Sequence, residues 1–136
     1  SSAQSAKPPQ FRAPDGTEFS DRNKYRRYMF KTYYTFSNRS NEVLRKNPGE
    51  ISGQPFNLER LQGCTVLLLD HSNQTQVDEL SDCNVFIGPC CESVFVRDCK
   101  ACTFTIACKQ LRMRDCQDCI VSLYSKTEPV VEATTR

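Results

Sequence analysis

The chain has 136 residues, 38% of them apolar, with no tryptophan but eight Phe and five Tyr, which suits a single domain with a modest core. Its net charge of +2 hides an asymmetry: residues 1–46 carry ten Lys or Arg against four acids, and residues 47–136 carry eight against twelve. No run approaches the roughly 18 apolar residues of a membrane span, no secretory signal is visible, and no aromatic-plus-basic nucleic-acid motif is present.

Residues 1–12, rich in Ser, Ala, Gln, Lys and Pro, read as a disordered leader. Ala13-Pro14-Asp15-Gly16 signals a turn. Ser20-Asp21 offers an N-cap for a helix from Arg22 to Tyr34 or Phe36, with Tyr25, Tyr28, Met29, Phe30, Tyr33 and Phe36 at helical spacing. Its cations, Arg22, Lys24, Arg26, Arg27 and Lys31, read first as a solvated face and second as a contact for an acidic partner or an anionic membrane surface. Ser37 to Asn41 breaks the helix, and Asn47-Pro48-Gly49-Glu50 makes the next turn. Residues 13–50 are therefore expected to be a turn, a helix and a connecting loop that cap the remainder of the chain.

From residue 51 onward the chain repeats itself. Leu61-Gln62-Gly63-Cys64 returns as Leu80 to Cys83, as Cys99 to Cys102 and as Cys116 to Cys119, in two steps of nineteen residues and one of seventeen. Each terminal cysteine is followed by a short apolar run. No repeat has enough apolar surface to fold alone and none holds a helix signal, so the spacing points to a parallel β-solenoid of about four recognisable coils over residues 51–136. The inward columns are Cys64, Cys83, Cys102, Cys119; then Val66, Val85, Phe104, Val121; then Leu68, Ile87, Ile106, Leu123. Two more are Val77, Val96, Met113, Val130 and Leu80, Cys99, Cys116, Ala133. The chain stops just after the fourth coil, so a C-terminal truncation of the solenoid is expected.

Nine cysteines suggest a disulfide framework or a zinc site. The odd number and the missing secretory signal argue against disulfides. Cys99/Cys102 and Cys116/Cys119 have ligand-pair spacing, but leucine replaces the first cysteine of each pair in the earlier coils. A ligand position would not tolerate that swap, whereas a core position would. Reduced, stacked thiols and a cytosolic protein are the expectation.

With Leu111 and Met113 inward, strand alternation turns Gln110, Arg112 and Arg114 outward. Arg114 has an equivalent in Arg97, and each is followed by an aspartate, which reads as surface pairing. Arg112 differs, because its equivalents are Gln76 and Phe95, so the repeat does not call for arginine there.

The segment from Tyr28 to Glu132 resembles the tubulin-folding cofactor C domain family (the C-CAP/cofactor C-like domain), and most of all its retinitis-pigmentosa-associated branch. The resemblance is carried by Tyr28-Met29-Phe30, Leu44 to Phe56, Asp70-His71-Ser72, Phe86-Ile87-Gly88-Pro89, Ser93-Val94-Phe95 and Arg97-Asp98-Cys99, and continues through Ala107 to Arg112 and Pro129 to Glu132. It implies a right-handed parallel β-helix, capped here by the N-terminal helix. It also implies GTPase activation, with an arginine offered in trans to an Arf-like small GTPase or, for cofactor C, to tubulin. Arg112 matches that arginine. Gln110 lies beside it, Glu132 matches an acid near the partner, and Lys109 and Arg114 extend a basic rim. No cofactor of the chain's own is implied, since GTP and Mg belong to the partner. Alternatives are a tubulin-folding cofactor acting on the tubulin heterodimer and a non-catalytic scaffold at the basal body or flagellar base. The expected location is the cytoplasm, with the cytoskeleton, basal body or base of a cilium. Membrane contact is expected only if a lipidation signal lies outside these residues.

Overall fold

The computed structural model describes the backbone of residues 10–125 and 130–132 and the side chains of residues 10–124. The chain divides into two compact units with the boundary between Tyr34 and Thr35.

The first unit holds strands β1 (Phe11–Arg12) and β2 (Glu18–Phe19), paired antiparallel, and helix α1 (Arg22–Tyr33). The Asp21 carboxylate accepts the Asn23 amide at 2.8 Å and starts the helix. Tyr25 stacks on Phe11 with ring centres 5.1 Å apart, and Tyr28 lies 5.2 Å from Phe19. The Tyr28 hydroxyl donates to Asp15, and this bond, with the Thr17 amide, lowers the Asp15 carboxyl to about 2.

The second unit is a parallel β-helix of about five turns, one more than the cysteine repeat marks. The extra turn comes from β3 (Thr35–Ser40) and β4 (Val43–Lys46), where the sequence suggested only a connecting loop. They pair in parallel with β5 (Phe56–Gln62) and β6 (Thr65–Leu68). The stack continues through β7 (Thr75–Ser81), β8 (Asn84–Arg97), β9 (Thr103–Arg114), β10 (Ile120–Ser125) and β11 (Val130–Glu132). Each coil turns at two left-handed residues three apart, and these recur down the stack. Asn38, Arg60, Glu79, Asp98 and Asp115 make one corner; Asn41, Gly63, Asp82, Ala101 and Asp118 make the other. Asn, Asp and Gly tolerate this conformation best, which is why they hold most of these places.

The registers confirm most of the expected columns. Leu44, Val66, Val85, Phe104 and Val121 stack in one; Leu68, Ile87, Ile106 and Leu123 in another. Leu58, Val77, Val96 and Met113 continue to Val131, not to the expected Val130, which instead pairs with Arg112. The step from Met113 is thus one residue longer than sequence spacing suggested. Ala133, assigned to a further column, lies outside the described residues.

Six cysteines serve the corners. Each of Cys64, Cys83, Cys99, Cys102, Cys116 and Cys119 follows a left-handed residue, and its thiol donates to the carbonyl two residues back at 3.2–3.5 Å. Leu61 and Leu80 follow the same turn in earlier coils and are equally buried. All nine cysteines are free thiols, and among the described residues no cluster could hold a metal ion. Hydrogen bonding to Cys102, and for Cys99 also to Cys116, together with burial pushes Cys83 and Cys99 well above the ordinary thiol range. The same bonds lower Cys102 and Cys116 as acceptors, so the stack shares its protons, and burial of all four disfavours a thiolate.

Two loop contacts fix the coils where they lack cysteines. A β-carbon on Gly88 would lie 2.7 Å from the Leu68 carbonyl oxygen, backbone that cannot swing away. Gly88→Ala is expected to destabilise the protein by about 1–3 kcal/mol, read as a lower denaturant midpoint. The Asp70 carboxylate accepts the Ile51 amide at 2.9 Å and the Ser52 amide at 2.6 Å, tying one loop to the next. The Ser52 bond, aided by Ile51 and opposed by burial, holds Asp70 well below the usual carboxylate range. A folded-state value depressed in this way contributes stability in full above the unfolded Asp value of about 3.9 and loses it as pH falls further. Asp70→Asn should therefore lower the unfolding midpoint at neutral pH and flatten its decline below about pH 4, measured by unfolding across that range.

Candidate functional site

The site lies on the outward face of the strand stack in which the second half of β9 is flanked by β8 and β11. Along β9 burial alternates, with Phe104, Ile106 and Cys108 inside, but Leu111 and Met113 are the next inward pair. The strand turns a corner at Lys109 and Gln110, and this sets Arg112 outward between two buried anchors. Arg112 is exposed, Gln110 is half-buried, and Arg114 is exposed. Alternate residues on a strand stand about 6.7 Å apart, so the three form a row along one edge.

Across the stack, Asn57, Gln76, Phe95, Arg112 and Val130 share one register column. Arg112 is the one charged member, and half-buried Phe95 is its neighbour on the preceding rung. The next column carries Glu59, Asp78, Arg97, Arg114 and Glu132. Arg97 bonds Asp78 at 3.2 Å, and Arg114 bonds Asp115 at 3.2 Å. Each such exposed pair is worth little in stability, but it occupies donors. Among the described residues no hydrogen bond or ion pair engages the Arg112 guanidinium. Its five donors therefore point at solvent from a fixed backbone.

The other expected site residues fall in two places. Glu132 pairs in register with Arg114 through β11, which brings its backbone to the same edge; its side chain lies outside the described residues. Lys109 belongs to the corner, where its ammonium stands 3.9 Å from Glu92. That corner also holds a feature not anticipated from sequence: an open groove of about 740 Å³, lined by Pro89, Cys90, Cys91, Ala107, Cys108, Lys109 and Tyr124. It has a simple origin. The Asn84-to-Thr103 step is nineteen residues and the Ser93-to-Gln110 step seventeen, so β8 carries two more residues through this corner than β9. The surplus bulges out beside the entry to the Gln110–Arg114 row.

The tubulin binding cofactor C family profile matches residues 53–136, a span that begins where the second coil does. The chain belongs to the tubulin binding cofactor C family. A tubulin-specific chaperone C from Bos taurus is 32% identical over 100 residues, covering 74% of this chain and 29% of the relative. Protein XRP2 from Mus musculus is 37% identical over 102 residues, covering 75% and 29%, and that from Gallus gallus is 38% identical over the same shares. This cofactor C domain thus spans less than a third of the length of the curated relatives it matches. Among the described residues no helix is long and apolar enough to cross a membrane.

Proposed function

We propose that this protein is a GTPase-activating protein of the cofactor C type, in which Arg112 reaches in trans into the nucleotide site of an Arf-like small GTPase. The observation that supports this reading most is the outward Arg112 on a rigid rung, without a partner among the described residues, in a column that otherwise holds no charge. Phosphoryl transfer spreads negative charge over the transferring oxygens, and a planar guanidinium with several donors stabilises it. Because the β9 backbone is locked by ladder bonds on both sides and by Leu111 and Met113 beneath, little reorganises when the partner docks. Gln110 and Glu132 flank the contact as partner-binding groups, while Arg114 and Lys109 add positive charge at its rim. GTP and its Mg belong to the partner, so the protein itself supplies no cofactor.

The names of the chaperone C relatives favour a second partner, the tubulin heterodimer, engaged through the same edge. Phosphate release from GTP-loaded Arf-like GTPases and from GTP-tubulin, each titrated with the wild-type protein, separates the two. Acceleration of neither would leave a binding or scaffold role and overturn the proposal. On this reading the protein works in the cytoplasm with the cytoskeleton, and a place at the base of a cilium or flagellum belongs to the same proposal.

A further inference from the structure

We propose that the basic face of α1 is a docking surface for an acidic peptide segment of a partner protein. The helix carries Arg22, Lys24, Arg26, Arg27 and Lys31 and no acid, and all five are exposed. The described acids of the same unit are already engaged. Asp15 takes the Tyr28 hydroxyl and the Thr17 amide, Glu18 pairs with Arg12 at 2.9 Å, and Asp21 caps the helix. Among the described residues no ion pair reaches any of the five helix cations. In the solenoid Arg39, Arg60, Arg97 and Arg114 each have a carboxylate within 3.2 Å, and Arg45, Lys100 and Arg112, which no ion pair reaches among the described residues, are scattered along the chain. The unneutralised charge is therefore concentrated on one helix.

Its geometry suits a linear anion. Lys24, Arg27 and Lys31, at steps of three and four, form one stripe about 10 Å long. An extended peptide presents alternate side chains every 6.7 Å or so, and acids at alternate positions would meet that stripe. Arg22 and Lys24 also sit in the first turn, where positive charge opposes the helix dipole, and a bound polyanion would relieve that repulsion. A lipid surface fits less well. Tyr25 and Tyr28 are packed on Phe11 and Phe19, and Met29, Phe30 and Tyr33 are half-buried, which leaves no open apolar face to embed. Single-stranded nucleic acid fits less well again, because among the described residues of this unit no aromatic is exposed for bases to stack on.

The test is fluorescence anisotropy of a labelled polyglutamate peptide of about ten residues, titrated with the full chain. Binding should weaken as salt rises. The K24E/R27E/K31E variant should bind about ten-fold more weakly or worse, while Lys100→Glu, an exposed cation of the solenoid, should bind as wild type. The milder K24Q/R27Q/K31Q variant reads the same loss should charge reversal disturb folding, which circular dichroism checks. The proposal is overturned by no polyglutamate binding, or by equal binding of a folded triple variant. It is equally overturned if phosphatidylserine vesicles or a single-stranded oligonucleotide capture the protein and polyglutamate fails to compete.

Discussion

Replacing Arg112 with alanine should reduce the partner's stimulated GTP hydrolysis by about 10³-fold or more, with the fold intact. The residue is exposed and makes no hydrogen bond or ion pair among the described residues, so its removal leaves no orphaned group behind. The packing that holds the rung comes from Leu111 and Met113, which are 1% and 5% exposed. Loss of rate without loss of stability is therefore the expected signature. Affinity should change little, because Gln110, Arg114 and Glu132 remain to define the edge. Arg112→Lys gives the sharper comparison. It keeps the charge but not the planar fork, so it should recover only a small part of the lost rate. Stability of both variants is read by thermal unfolding, and affinity by anisotropy with the GTP-analogue-loaded partner.

Phe104→Ala should have the largest effect on folding, a loss of about 3–5 kcal/mol in a domain whose total stability is of the order of 5–15 kcal/mol. The Phe104 ring is fully buried and sits in register between Val85 and Val121. It is the one aromatic in a column otherwise built from Leu and Val. The coils above and below are fixed at hydrogen-bonding distance by the ladders, so they cannot close on the space the ring leaves. A denaturant midpoint nearly unchanged from wild type would show that the stack is more compliant than this packing implies. Since β9 carries both Phe104 and Arg112, the variant should also lose GTPase stimulation as the strand loosens.

Much of this arrangement is legible in the sequence, for identifiable reasons. The cysteines mark the corners because a small side chain after a left-handed residue can both pack and bond back to the chain. Their spacing counts the coils from the second onward. The first coil escapes that count because it uses other residues at its corners. Asn38 and Asn41 stand three apart, as do Arg60 and Gly63, and that pair of turn-formers was the signal available for it. The helix limits follow from the Asp21 cap, but the passage at Thr35 and Phe36 straight into β3 depends on Phe36 packing against Phe56, with ring centres 5.3 Å apart. Sequence does not display that long-range contact. The Asp70 anchor is hidden similarly, because its partners are backbone amides nineteen and eighteen residues away.

At the site, alternation alone turned Arg112 outward, and the registers with Gln76 and Phe95 agree. The contraction from nineteen residues to seventeen was visible as a number. Its place was not, since either corner of the coil could have absorbed it. Only the pairing of Ile87, Cys90 and Ser93 with Ile106, Cys108 and Gln110 locates it at the entrance to the row. Lys109 consequently faces the groove and Glu92, not the row itself.

An arginine acting in trans is tested most sharply by single-turnover GTP hydrolysis in the GTP-loaded partner, at saturating concentrations of wild type and of Arg112→Ala. Wild type should give a burst of phosphate release and the variant a rate near the partner's own, although both proteins are fully bound. Equal rates with the two proteins would refute the role given to Arg112, because the one arginine of the outward column would then contribute nothing to the chemistry.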